Sequence, residues 1–198
     1  MMWLLAIALI FVVIVSSVLL ISYFFGKNGY KPLSDEEATK RIASKYRMEN
    51  ASRIVKRWRK MAELFGYGGV IVWAKGNSRN RIVFWIPRLV PESTNKSAEE
   101  QRKLVSDLGW RQGFPTNYLS FGDADMLRQL LCGYYESTKE RTLGYDSWVR
   151  TDTRIVDVDG LMVALGWGDG TVSCGVYYTE KERYTFLGVF ALRVEELN

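Results

Sequence analysis

The side chains that most often carry enzyme chemistry are scarce in this chain of 198 residues. It contains no histidine, and its two cysteines, Cys132 and Cys174, lie far apart in sequence. The absence of histidine removes the commonest general base and the commonest transition-metal ligand, and no Cys-x-x-Cys motif offers a zinc site instead. Carboxylates, lysine and tyrosine remain, but no motif sets any of them apart from surface residues. We therefore predict a non-enzymatic protein with no catalytic residues, no metal site and no cofactor.

Two short stretches have the composition of ligand-binding loops. Asp157-Val158-Asp159-Gly160 matches the first part of a calcium loop, but Gly168 occupies the twelfth position, where calcium requires a glutamate. The stretch GWGDGTVSCG, which begins at Gly166, lacks the lysine and the following helix of a phosphate-binding loop. Turns between strands explain both stretches without a ligand. Cys132 and Cys174 are likewise interpreted as core residues rather than nucleophiles.

The densest group of basic side chains lies in a predicted helical segment that begins at Ser34. Ser34 and Glu37 have the spacing of a capping box, and a second helix or a kink is predicted at Met48, where the apolar period is interrupted. Beyond Met48, apolar residues recur at three- and four-residue spacing on one face, and basic residues occupy the other side. The apolar set is Ile54, Trp58, Met61 and Phe65, and the basic set is Arg53, Lys56, Arg57, Arg59 and Lys60.

Three interpretations of this basic face remain open. It is a solvated surface over an apolar stripe that packs on the core, or Arg53, Lys56, Arg57 and Lys60 contact anionic lipid headgroups or a partner. Nucleic-acid binding is the least favoured, because no helix-turn-helix, zinc-finger or RNA-recognition signature accompanies the charges.

The first 26 residues predict a membrane anchor. No charged residue occurs before Lys27, and the apolar stretch at 3–25 would span about 35 Å as a helix, enough to cross a bilayer core of about 30 Å. A cleaved signal peptide is the alternative, but such peptides have a basic start, a shorter apolar core and small residues at the cleavage site. A retained single-pass helix, a signal-anchor, is therefore expected.

Flanking charges predict the orientation of this anchor. No lysine or arginine precedes it, and five follow closely: Lys27, Lys31, Lys40, Arg41 and Lys45. Basic flanks favour the cytoplasmic side, so the N-terminus is expected outside and the C-terminal domain in the cytoplasm, at the inner or plasma membrane.

The remainder of the chain predicts an α+β fold. A hairpin is expected at Val70–Ala74 and Arg81–Ile86, followed by helices after Ser97 and from Asp123, and then by a meander of three or four strands. A single antiparallel sheet with helices on one face accounts for this order. The predicted divisions are an anchor at 1–26, a basic juxtamembrane helical segment at 27–66 and a soluble α+β domain at 67–198.

Two hypotheses for function follow. In the first, the domain binds a protein partner as a subunit or accessory factor of a membrane complex. Trp73 and Trp85 belong either to the core or to an exposed aromatic patch that contacts this partner. In the alternative, the protein is a membrane-tethered sensor of a small ligand or nucleotide. The element order is similar to that of PAS, GAF and profilin-like domains, an analogy of fold that identifies no family.

Overall fold

A computed structural model describes residues 29–76, 80–155, 161–168 and 171–197. The predicted anchor at 3–25, the turn at Asp157–Gly160 and the Asp169-Gly170 pair lie outside these ranges. Within the described ranges, no helix combines the length and the apolar character needed to cross a bilayer. In chain order the elements are β1 (Tyr30–Leu33), α1 (Asp35–Ile42), α2 (Met48–Leu64), β2 (Val72–Lys75), β3 (Arg81–Trp85), α3 (Ala98–Arg111), α4 (Ala124–Thr138), β4 (Trp148–Arg154), β5 (Leu161–Trp167), β6 (Val172–Thr179), β7 (Leu187–Gly188) and β8 (Leu192–Glu196).

The strands form two sheets. Sheet A has the order β1-β2-β3-β8 and is antiparallel throughout, and sheet B has the order β6-β5-β4-β7. In sheet B the meander β4-β5-β6 is antiparallel, whereas the two-residue strand β7 runs parallel to β4. An isolated bridge between Ser120 and Leu192 extends sheet A beyond β8.

Sheet A is covered on both faces. One face presents Val72, Ile82 and Phe84 to α1 and α2. The opposite face presents Trp73 and Trp85 to α4 and to sheet B. Because side chains alternate along a strand, β1, β2 and β3 contribute to both apolar clusters, whereas β8 contributes Leu192 and Val194 to the second cluster and carries the charged Arg193 and Glu195 on its other face.

Local sequence signals explain where the helices begin. The Ser34 hydroxyl accepts a hydrogen bond from the amide of Glu37, and Ser97 and Glu100 form a complete capping box at the start of α3. The carboxylate of Asp123 caps α4 in the same way, through the amide of Met126. A turn at 43–47 separates α1 from α2, so the two-helix alternative is correct, but the break lies before Met48, which is the first residue of α2.

A close backbone contact fixes α4 against sheet A. A Cβ atom added at Gly133 would lie 2.4 Å from the carbonyl oxygen of Tyr30, closer than such atoms can approach. Glycine at this position therefore lets the helix pack directly on β1.

A buried polar group joins α3 to sheet B. Arg150 of β4 is fully buried, and its Nε donates to the Gln101 side-chain oxygen at 2.8 Å. The Gln101 amide in turn donates to the carbonyl of Leu187 at 3.0 Å and to that of Ser93 at 2.7 Å. Further bonds from Arg150 reach the carbonyls of Thr179 and Glu182. These bonds hold the guanidinium, and with it α3, in one position.

The α+β class with antiparallel sheets and helices is confirmed, but the single sheet with helices on one face is wrong. The C-terminal strand β8 leaves the meander and pairs with β3, so two sheets form instead of one. Strand β1, which the sequence interpretation assigned to the juxtamembrane segment, is the other edge of sheet A. Helices α1 and α2 share the apolar cluster of sheet A and pack on the face opposite α4.

Candidate interaction surface

The basic residues of α2 lie where the helical period predicts. Trp58 and Met61 are buried, whereas Arg53, Lys56, Arg57 and Lys60 are exposed. The guanidinium of Arg57 donates to the carbonyl of Gly113 at 2.7 Å. Within the described part of the chain, Arg53, Lys56 and Lys60 form no hydrogen bond and no ion pair. We refer to Arg53, Lys56 and Lys60 as the basic ridge.

Apolar side chains lie on both sides of the basic ridge. Met48, at the start of α2, is 55% exposed, and Leu64, at its end, is 59% exposed. Trp110 is 70% exposed, and its carbonyl accepts from the amide of Gly113, the residue that Arg57 contacts. Such large exposed apolar groups beside unpaired cations are typical of surfaces that bind another molecule.

A groove of about 390 Å³ separates α1 from α2 on one side of the ridge. Met48, Val55 and Lys56 contribute to its lining, together with Asp35, Glu36, Thr39, Lys40, Ser52 and Arg59. The charged pairs Glu36–Lys40 and Asp35–Arg59 occupy its rim. On the other side, a second depression of about 190 Å³ is lined by Leu64, Leu104 and Leu108.

Among the described residues, Arg59 is the basic residue of α2 that forms an ion pair within the fold. Its guanidinium makes two bonds to the Asp35 carboxylate and also donates to the carbonyls of Gly68 and Gly69. These contacts join the last turns of α2 to the start of α1 and to the segment before β2. Arg59 therefore fixes the position of α2 and is not part of the ridge.

A buried carboxylate fixes the opposite end of α2. Glu195 of β8 is fully buried and accepts hydrogen bonds from Lys45 at 3.1 Å, Tyr46 at 3.3 Å, Tyr118 at 3.0 Å and Arg193 at 3.3 Å. Burial alone would raise the pKa of Glu195, but the bonds from Lys45 and Tyr118 and the charge of Arg193 together hold it below its usual value. Because Lys45 and Tyr46 immediately precede α2, this cluster sets the start of the helix.

These two contacts define the direction of α2 over sheet A. Glu195 is the cross-strand partner of Ile82, and this pair lies one register position from Tyr30, at the end of sheet A where β1 begins. Asp35 follows the end of β1, at the opposite end of the sheet. Helix α2 therefore starts near the end of the sheet at which Tyr30 lies and runs toward the opposite end.

Trp73 and Trp85 do not form an exposed patch. They are 1% and 0% exposed, and their rings meet edge to face at a centroid distance of 5.8 Å. Both lie in the cluster between sheet A and α4. Trp73 and Trp85 are therefore core residues, whereas Trp110 on α3 is an exposed aromatic side chain.

The cysteines are separate. Cys132 is half-buried on α4, and Cys174 is exposed on β6, where it lines a groove of about 340 Å³ with Asp123 and Leu165. Both thiols are free. No group of three or more acidic or sulfur ligands suited to a metal occurs among the described residues.

Helical periodicity was sufficient to identify the ridge, but it did not identify Leu64 or Trp110 as part of the surface. Leu64 is the last residue of α2, and Trp110 is separated from it by more than forty positions of sequence.

Comparisons with protein-family models, with curated proteins and with solved structures give no match.

Proposed function

We propose that this chain is a non-enzymatic, single-pass membrane-anchored protein whose α+β domain binds a protein partner through the basic ridge. In this proposal it is a subunit or accessory factor of a membrane complex. The observation that carries the proposal is the set of three cations on α2 that no described residue pairs, together with the exposed side chains of Met48 and Leu64 at the two ends of this helix and of Trp110 on α3. A matching partner presents acidic groups opposite the ridge and apolar side chains opposite its two margins.

The membrane part of the proposal rests on the uncharged residues 1–26 and the basic residues after them. Residues 3–25 would cross the inner or plasma membrane, with the N-terminus outside and the domain in the cytoplasm. Digestion by protease added to intact cells or spheroplasts tests this orientation. The proposal expects the domain to be protected, and its digestion from outside would contradict the cytoplasmic placement.

The direction of α2 favours a protein over a lipid surface as the occupant of the ridge. A predicted anchor that ends at residue 25 leaves only a few residues before Tyr30, so that end of sheet A would lie nearest the bilayer. Helix α2 runs away from the end of sheet A nearest the bilayer. Its exposed basic residues would therefore face molecules beside the domain and not the membrane surface. Headgroup contact by Arg53, Lys56, Arg57 and Lys60 is the competing proposal.

Charge reversal on the basic ridge distinguishes binding of a protein partner from binding of lipid headgroups. The full-length triple variant Arg53→Glu, Lys56→Glu and Lys60→Glu is compared with a control in which Lys103, Lys139 and Lys181, exposed elsewhere, are changed to Glu. Proteins are captured from native membranes by cross-linking, and vesicles with and without anionic lipid are tested in parallel. Loss of one specific cross-linked protein in the ridge variant alone supports partner binding. Unchanged cross-linking contradicts it, and loss of anionic-vesicle binding alone would assign the ridge to lipid.

A further inference from the structure

A small polar cavity lies on a different side of α3 from the ridge. It has a volume of about 140 Å³ and is partly open, between α3, the loop before α4, and β4. Five of its side chains are polar and three are apolar. The polar set is Arg102, Ser106, Asn117, Ser120 and Asp152, and the apolar set is Val105, Leu119 and Phe121.

Asp152 contributes the negative charge of this cavity. Its Oδ2 accepts hydrogen bonds from the amides of Phe121 and Gly122 at 3.1 and 3.2 Å. Among the residues that the structure describes, no donor reaches Oδ1, so this oxygen remains an acceptor. Asp152 as a whole is exposed, but desolvation of its carboxylate against the cavity wall raises its pKa above the usual value, against the lowering by the two amides and by the charge of Arg102.

Arg102 contributes the positive charge. Its guanidinium lies 5.7 Å from the ring centre of Phe121, and one nitrogen donates to Glu180 at 3.3 Å. The charges of Arg102 and Asp152 attract each other, but these two described side chains form no salt bridge. Arg102 and Asp152 therefore line one cavity without direct contact with each other, and the Arg102 guanidinium, which pairs with Glu180 through one nitrogen, keeps further N–H groups for a ligand.

We propose that this cavity binds a small zwitterion of the α-amino acid class. The guanidinium of Arg102 pairs with the carboxylate of the ligand, and Oδ1 of Asp152 accepts from its ammonium group. The hydroxyls of Ser106 and Ser120 and the Asn117 amide are available for the remaining polar atoms. A volume of 140 Å³ equals that of about five water molecules, which suits a ligand of roughly five to seven non-hydrogen atoms.

The loop that borders the cavity connects it to the α2 region. Asn117 has a left-handed backbone conformation with φ of 60°, and the next residue, Tyr118, donates to Glu195 in the cluster that precedes α2. A ligand that contacts Asn117 and Ser120 would therefore stabilise the loop that also supports the start of α2. This arrangement suits the sensor alternative, and it does not depend on partner binding by the ridge.

Isothermal titration calorimetry on the full-length protein in detergent tests the proposal. Glycine, L-alanine and L-serine are titrated separately, and acetate and methylammonium serve as ligands that carry one charge each. We expect at least one of the amino acids to bind at least tenfold more tightly than either single-charge ligand. Absence of binding by all three amino acids, or equal binding of acetate, would overturn the proposal.

Two variants locate the site. Asp152→Asn keeps a side-chain oxygen that can accept from the amides of Phe121 and Gly122. Arg102→Gln changes a side chain that is 42% exposed, so the protein is expected to fold with either substitution. Each is expected to weaken amino-acid binding at least tenfold. The matched controls Asp107→Asn and Arg111→Gln lie on α3 outside the cavity and should bind as the wild type does. Unchanged affinity in Arg102→Gln, the variant least able to disturb folding, would refute the assignment even if Asp152→Asn failed to fold.

Discussion

The substitution Glu195→Gln should destabilise the domain more than any other single charge removal on sheet A. The side chain is fully buried and accepts four hydrogen bonds, two of them from the cations Lys45 and Arg193. Glutamine keeps the shape and one acceptor oxygen but removes the charge. Breaking a buried ion pair costs about 3–5 kcal/mol. Lys45 and Arg193 are 32% and 36% exposed, so solvent recovers part of their charge interaction. We expect a loss of about 2–3 kcal/mol in the free energy of unfolding.

Urea unfolding of the full-length protein in detergent, followed by tryptophan fluorescence, measures this loss. At a slope of about 2 kcal/mol per molar urea, the midpoint should fall by roughly 1 M. The control is Glu196→Gln, whose side chain is 62% exposed and pairs with Arg81 at 2.6 Å. Removing that surface pair should cost less than about 1 kcal/mol. Equal midpoints for the two variants would refute the assignment of Glu195 as the support of the α2 start.

The dependence of stability on pH provides a second test of the role of the Glu195 carboxylate. Because the pKa of Glu195 is lower in the folded protein than its ordinary value of 4.5, its ionisation stabilises the fold above that value. This contribution is lost as the pH falls below 4.5 and through the folded pKa. The difference in stability between the wild type and Glu195→Gln should therefore narrow below pH 4.5. A constant difference between pH 7 and pH 3 would contradict the direction of the shift.

Three further predictions concern other parts of the fold. Gly133→Ala places a methyl group against the carbonyl of Tyr30 and should cost about 1–3 kcal/mol in urea unfolding, whereas Gly175→Ala, where a Cβ meets nothing within 4 Å, should cost less. Gln101→Leu leaves the buried Nε of Arg150 without its acceptor and should cost about 2–3 kcal/mol, measured in the same way. Cys174 is exposed, whereas burial raises the pKa of the Cys132 thiol, so maleimide at pH 7.5 should label Cys174 first, as peptide mass spectrometry would show.

Local patterns in the sequence identified most elements but not their pairing. The residues at which the sequence predicts helix starts, Ser34, Ser97 and Asp123, are the N-caps of α1, α3 and α4. These signals act within a few residues. The pairing of β8 with β3 joins segments more than one hundred residues apart, and alternation indicates that each is a strand without indicating its neighbour. Strand β1 has only four residues, too few for a clear period.

The candidate sites likewise differ in whether local sequence patterns could identify them. The exposure of Arg53, Lys56 and Lys60 was predictable because they share one helix with Trp58 and Met61. The cavity between Arg102 and Asp152 was not, since one residue belongs to a helix and the other to a strand of sheet B. Only the packing of α3 against β4, through Arg150 and Gln101, brings the two charges to one cavity.

The pairing of β3 with β8 has a consequence for how the protein is made. Sheet A requires Arg81–Trp85 and Leu192–Glu196 together, so it is incomplete until the final strand leaves the ribosome. At about 5–20 residues per second, synthesis of the intervening residues 86–191 takes roughly 5–21 s. During that interval β3 has an open edge and the apolar faces of Trp73 and Trp85 lack part of their cover. The nascent chain therefore passes through a period in which it depends on chaperones for protection from aggregation, and a stop codon before Leu192 would prolong that state indefinitely.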